Sequence, residues 1–105
     1  MKKSPVILSI DTSDSKKVKL TLLLKGSQFS KITENNWISQ SLLPAIEALL
    51  SENNIKITDL TEITVHTGPG SYTGLRVGIS VANTLSYLLK IPINGKKDRL
   101  VIPDY

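Results

Sequence analysis

Apolar and polar residues follow two different rhythms along the chain. Val6–Ile10 is a short, nearly continuous run of mostly branched apolar residues, the pattern of a strand covered on both faces. The turn-forming side chains of Asp11-Thr12-Ser13-Asp14-Ser15 break it. Val18-Lys19-Leu20-Thr21-Leu22 alternates with period two and predicts a half-buried strand. Lys25-Gly26-Ser27 turns the chain, with Gly26 supplying permissive backbone. Gln28–Thr33 mixes Phe29 and Ile32 with Ser30 and Lys31. It predicts a weaker third strand at the sheet edge, where a lysine discourages stray pairing.

After a polar connection over Thr33–Ile38, which holds Trp37, the period lengthens. Leu42, Leu43, Ile46, Leu49 and Leu50 recur at helical spacing and predict a helix over Ser39–Asn53. Pro44 places its proper start at about Leu43. Asn53-Asn54 stops it, and Asp59 three residues before Glu62 resembles a short capped turn. Ile63-Thr64-Val65-His66 reads as a fourth strand. A second helix runs from about Gly74 or Leu75 to Leu89, with Lys90 complementing its C-terminal dipole and Pro92 closing it. Ile91–Asn94 begins a fifth strand, Gly95-Lys96-Lys97-Asp98 is a turn, and Leu100-Val101-Ile102 is an apolar segment without an assignment. The order β-β-β-α-β-α-β predicts an α/β fold. Its sheet is mixed and five-stranded, in the order 3-2-1-4-5, with an antiparallel start, parallel crossovers and helices packed on it.

Length and composition narrow the chemistry. The 105 residues fit one domain, taken here as a single lobe over 1–105. No Cys is present, which excludes disulfides and thiolate chemistry, and one His excludes the usual multi-His metal sites. The unbroken apolar stretches, Leu22–Leu24 among them, run to three residues and are far too short to span a bilayer, and Asp11 interrupts the apolar start. The expectation is a cytoplasmic protein without membrane contact. The net charge of +4 comes with lysines in scattered pairs: Lys2/Lys3, Lys16/Lys17 and Lys96/Lys97. Such pairs mark solvated ends and turns more than a binding stripe. Phe29, Trp37, Tyr72, Tyr87 and Tyr105 are few for base stacking.

The densest local signal is Thr67-Gly68-Pro69-Gly70-Ser71-Tyr72-Thr73-Gly74-Leu75-Arg76-Val77-Gly78, between a strand and a helix. Gly68, Gly70, Ser71 and Thr73 could present donors to an anion at the helix start. The loop has no lysine and so is not a Walker loop, and its Gly-x-Gly-x-x-x-Gly is one residue too long for the dinucleotide fingerprint. The plainer reading is a turn that brings a helix close to the sheet. Gly74, Gly78, Ala82 and Ser86 then recur every four residues, a small-residue stripe that permits close approach of another backbone, either a partner's or this domain's own. Arg76, Ser80, Asn83 and Tyr87 form the polar stripe. At the end of the first strand, Asp11 could hold a metal-bound water, but the plainer reading is an Asx or Ser/Thr turn. Asp59, Glu62, Glu47 and Glu52 do not converge on it, and His66 is read as structural. No catalytic set, metal site or cofactor is assigned.

Three stretches together resemble the TsaB (YeaZ) family: Ile7-Leu8-Ser9-Ile10-Asp11-Thr12-Ser13, Ser41-Leu42-Leu43-Pro44-Ala45-Ile46, and the glycine-rich stretch from Thr67 to Ile79. Ile91-Pro92-Ile93-Asn94-Gly95 extends the likeness. The resemblance implies one lobe of the actin-like, ribonuclease H-like (ASKHA) superfamily. It implies a non-catalytic partner in threonylcarbamoyladenosine modification of tRNA, which docks on the paralogue TsaD with the ATPase TsaE assisting. Docking in that family uses the two helices, and tRNA is contacted only indirectly. The site expected from stripe and resemblance together is Leu42, Ile46, Leu49, Gly74, Gly78, Ala82 and Ser86, serving a TsaD-like partner or a homodimer. Two departures stand out. Ile38, where the family has His, precedes Ser39, and residues 1–105 are expected to hold the family's first lobe without its second. The alternatives are a nucleotide-dependent phosphotransferase or hydrolase using Asp11 and the Gly-rich loop, and a ribonuclease H-like nuclease.

Overall fold

A computed structural model describes residues 4–34, 38–97 and 100–104. Lys2, Lys3, Trp37, Asp98 and Tyr105 lie outside the described residues. Three strands come first: β1 (Val6–Asp11), β2 (Lys17–Leu24) and β3 (Ser27–Glu34). Then come α1 (Ile38–Glu52), a 3-10 turn (Ile57–Asp59), β4 (Glu62–Val65) and α2 (Tyr72–Leu89). The sheet order is β3-β2-β1-β4. β1 pairs antiparallel with β2, β2 antiparallel with β3, and β1 parallel with β4.

Register decides what the core contains. Leu8 lies opposite Leu22 on one side and Ile63 on the other, so all three share a face. That face carries the buried Val6, Leu8, Ile10, Val18, Leu20, Leu22, Ile63 and Val65, and both helices pack on it. The opposite face, with Ile7, Ser9, Thr21 and Leu23, is half-buried. The double coverage expected for β1 is therefore corrected to single coverage among the described residues. β3 is the edge strand as expected, with Ile32 exposed. Its Lys31 turns toward α1, where Nζ lies 2.9 Å from Glu52 Oε2.

The five-stranded expectation is also corrected, to four strands. Ile93 does reach the expected place beside β4. The Ile63 N–H donates to the Pro92 carbonyl at 3.0 Å, and the Asn94 N–H donates to the Ile63 carbonyl at 2.9 Å. There the ladder stops at one bridge, because Asn94 and Gly95 adopt positive φ of 49° and 78° and turn the chain back on itself. The Asn94 side chain then takes the role of the next strand residue. Its Oδ1 accepts from the Val65 N–H at 2.8 Å, and its Nδ2 donates to the Val65 carbonyl at 3.1 Å.

Helix limits shift as well. α1 begins at Ile38 and passes through Pro44 instead of starting near Leu43. Pro44 sits on the exposed side of the helix, where its missing N–H is tolerated best. α2 begins at Tyr72, because the Ser71 hydroxyl accepts from the Gly74 N–H at 3.2 Å and caps the first turn. Lys90 ends it in the left-handed conformation. The capped turn lies three residues earlier than expected: Lys56 caps the 3-10 turn and Asp59 closes it, its Oδ2 accepting from the Lys56 N–H at 2.9 Å, while Glu62 opens β4.

Candidate functional site

The two motifs singled out in the sequence lie against each other. The parallel pairing of β1 and β4 brings the strand end at Asp11-Thr12-Ser13 beside the Gly-rich loop. The Ser71 N–H donates to the Ser13 carbonyl at 2.7 Å. A Cβ on Gly70 would lie 2.6 Å from the Ser13 Cβ, so only glycine fits there. Thr12 is fully buried and its hydroxyl donates to the Gly74 carbonyl at 2.6 Å. A Cβ on Gly74 would strike the Thr12 carbonyl, and one on Gly78 the Thr12 hydroxyl. The small stripe on α2 is thus the seat of Thr12.

This settles where the expected partner-binding residues sit. Leu42, Ile46, Ala82, Gly74 and Gly78 are buried inside the domain, as are Leu49 and Ser86. The Ser86 hydroxyl donates to the Ile91 carbonyl at 2.6 Å. As an outward surface this set is corrected: the close approach that the stripe permits is made by the chain's own β1 end. The sequence signal for small residues was sound, but periodicity alone does not say which backbone comes close. The sequence does not single out Thr12, because nothing in a Thr after a strand marks it as buried.

Two of the loop's donors are committed internally. Ser71 N–H goes to Ser13, and Gly74 N–H goes to the Ser71 hydroxyl. Gly68, at φ 138°, lies against the Asp104 carbonyl. Thr73 is exposed and lines an open groove on α2 of about 420 Å³ with Tyr72, Arg76, Val77, Ser80 and Val81. In it Arg76 Nη1 donates to the Tyr72 hydroxyl at 3.2 Å, and the guanidinium stands 5.4 Å from the ring centre.

Asp11 forms the Asx turn. Its Oδ1 accepts from the Ser13 N–H at 2.9 Å and from the Ser13 hydroxyl at 2.6 Å. Burial pushes its carboxyl up, but both Ser13 bonds and the charges of His66 and Lys19 outweigh this and hold it below the ordinary carboxylate value. His66 Nε2 lies 3.3 Å from the Pro69 carbonyl. Among the described residues no group of three His, Cys, Asp or Glu side chains is placed to hold a metal ion. No described helix is long and apolar enough to cross a membrane.

The outward helix surface is different from the one expected. Leu43 of α1 and Tyr72, Tyr87 and Leu88 of α2 are exposed large hydrophobics. Arg76, Ser80 and Thr84 are exposed beside them.

This mixed sheet with two helices on one face is an α/β fold that matches YeaZ. YeaZ from Pseudomonas aeruginosa superposes with a TM-score of 0.80 at 31% identity, over 84% of this chain and 42% of that one. The family model described as "TsaD: tRNA N6-adenosine threonylcarbamoyltransferase" matches residues 35–95. The tRNA threonylcarbamoyladenosine biosynthesis protein TsaB of Bacillus subtilis is 37% identical over 93 residues, 85% of this chain and 39% of its own length. TsaB of Buchnera aphidicola (subspecies Schizaphis graminum) is 37% identical over 95 residues, 88% of this chain and 44% of its own. The chain belongs to the TsaB (YeaZ) family. It spans about two fifths of the length of these relatives.

Proposed function

We propose that this chain acts in tRNA threonylcarbamoyladenosine formation as a non-catalytic, TsaB-like partner in the cytoplasm. It docks on a TsaD-like subunit, with a TsaE-like ATPase assisting and tRNA contacted only through the complex. The observation that carries this reading is the 37% identity to TsaB of Bacillus subtilis over 85% of this chain. The outer face of α2 supports it: Tyr72, Arg76, Ser80, Tyr87 and Leu88 offer aromatic, guanidinium and apolar groups without a covering element among the described residues. Aromatic and arginine side chains are the residues that most often carry protein–protein contacts. The same face is the surface for a homodimer when TsaD is absent.

Mixing the full chain with a TsaD-like subunit tests the reading by sedimentation. A discrete complex at micromolar concentration is expected. Separate sedimentation of the two proteins well above that range overturns it.

A further inference from the structure

Residues 100–104 lie outside the sheet, yet groups far away in sequence hold their backbone. The Val101 N–H donates to Asn83 Oδ1 at 2.9 Å, and Asn83 Nδ2 donates to the Val101 carbonyl at 3.0 Å. One side-chain amide on α2 satisfies both backbone groups of a single residue, as a neighbouring strand does in an antiparallel pair. Three residues on, the Asp104 N–H donates to the Thr67 carbonyl at 2.6 Å. The Asp104 carbonyl fills the space that a Cβ on Gly68 would take. Val101 packs half-buried against the core, while Leu100 and Ile102 on either side are exposed. This out-in-out alternation is that of an extended segment laid from α2 to the Gly-rich loop.

We propose that Asn83, Thr67 and Gly68 form a site that reads the backbone of an extended apolar peptide, and that residues 100–104 fill it in cis as a releasable strap. The ligand class follows from the contacts. Recognition runs through main-chain donors and acceptors, with one branched side chain turned inward at the Val101 position. Gly68 admits the approaching carbonyl, and a side chain there would hold it off. Tethering gives the strap an effective concentration of roughly millimolar, so a partner segment displaces it only by binding better than that. Asn83 lies on the same stripe of α2 as Ser80 and Tyr87, and an arriving partner would meet the strap at the edge of that face.

Amide exchange followed by NMR on the full chain tests the site. The Val101 and Asp104 amides are expected to exchange about tenfold or more slowly than in the free peptide Leu-Val-Ile-Pro-Asp-Tyr. Val101→Pro removes the N–H that Asn83 accepts from and leaves the receiving groups intact. In that variant Asp104 should exchange at the free-peptide rate while the buried amides of α2 keep their protection. Adding the peptide at millimolar concentration should then shift the backbone signals of Thr67 and Gly68 and the side-chain amide signals of Asn83, and should leave them unmoved in the unaltered chain. If Val101→Pro disturbs α2, Asn83→Ala decides from the receiving side, and must release Val101 and Asp104 together. Free-peptide exchange at both amides in the unaltered chain overturns the proposal. So does a folded Val101→Pro that does not respond to the peptide, or an Asn83→Ala that keeps both amides protected.

Discussion

The hydroxyl of Thr12 donates to the carbonyl of Gly74 across 2.6 Å, with Thr12 fully buried at the end of β1 and Gly74 in the first turn of α2. This bond, with the glycine contacts around it, clamps the sheet to the helix that follows the Gly-rich loop. Thr12→Val keeps the shape and removes the donor. It should cost about 1–2 kcal/mol in urea unfolding. A variant as stable as the parent would show that the clamp is packing alone.

Gly78 meets the same Thr12 side chain from the next turn. Alanine is the better helix former by about 1 kcal/mol, so an open position would gain stability. Here Gly78→Ala is expected to lose about 1–3 kcal/mol, because the Thr12 side chain is fully buried and has no free space to move into. In a double-mutant cycle, Thr12→Ala should restore part of that loss, and strict additivity would mean that the two residues do not touch.

Much of this architecture is legible in the sequence. Four strands, two helices and the order of the first four strands follow from period and turn chemistry. The fifth strand is not legible, because Ile91–Asn94 has a strand's apolar character and the decisive event is conformational: positive φ at Asn94 and a side-chain amide that caps Val65. Asn94→Ala should therefore destabilise the chain by about 1–3 kcal/mol through two unmet backbone groups. Asp11-Thr12-Ser13 and the Gly-rich stretch were both visible as motifs. That each is the other's packing surface needed the parallel β1–β4 pairing, which no local pattern states. The role of Asn83 and Thr67 as holders of residues 100–104 is not legible in the motif and the polar stripe that contain them, since it depends on that later segment folding back onto them.

Acid should weaken the fold in part through Asp11. Its carboxyl titrates below the ordinary carboxylate value in the folded state, held down by Ser13, His66 and Lys19 against the effect of burial. A depressed carboxyl contributes stability that is fully present above the unfolded value of about 3.9 and is lost as pH falls through the folded one. Asp11→Asn should be less stable than the parent at pH 7 by less than about 1 kcal/mol, and the gap should close toward pH 3. A gap that widens in acid would contradict the assignment.

The last prediction separates the inner and outer faces of α2. Ala82 is fully buried beneath the helix, and Ser80 is exposed on the groove with Arg76 and Tyr72. Ala82→Leu overpacks the core and should cost about 1–3 kcal/mol of stability, with affinity for a TsaD-like subunit unchanged in the folded fraction. Ser80→Arg adds bulk and charge where nothing of this chain is in the way, so unfolding should move by no more than about 0.5 kcal/mol. Its effect should fall on docking, weakening the complex by about tenfold or more, because a charge forced into an interface core leaves its hydration behind. Urea unfolding and sedimentation with the partner subunit read the two quantities separately. If Ser80→Arg leaves the complex intact, α2 does not present that groove to TsaD, and the contact lies on α1 around the exposed Leu43.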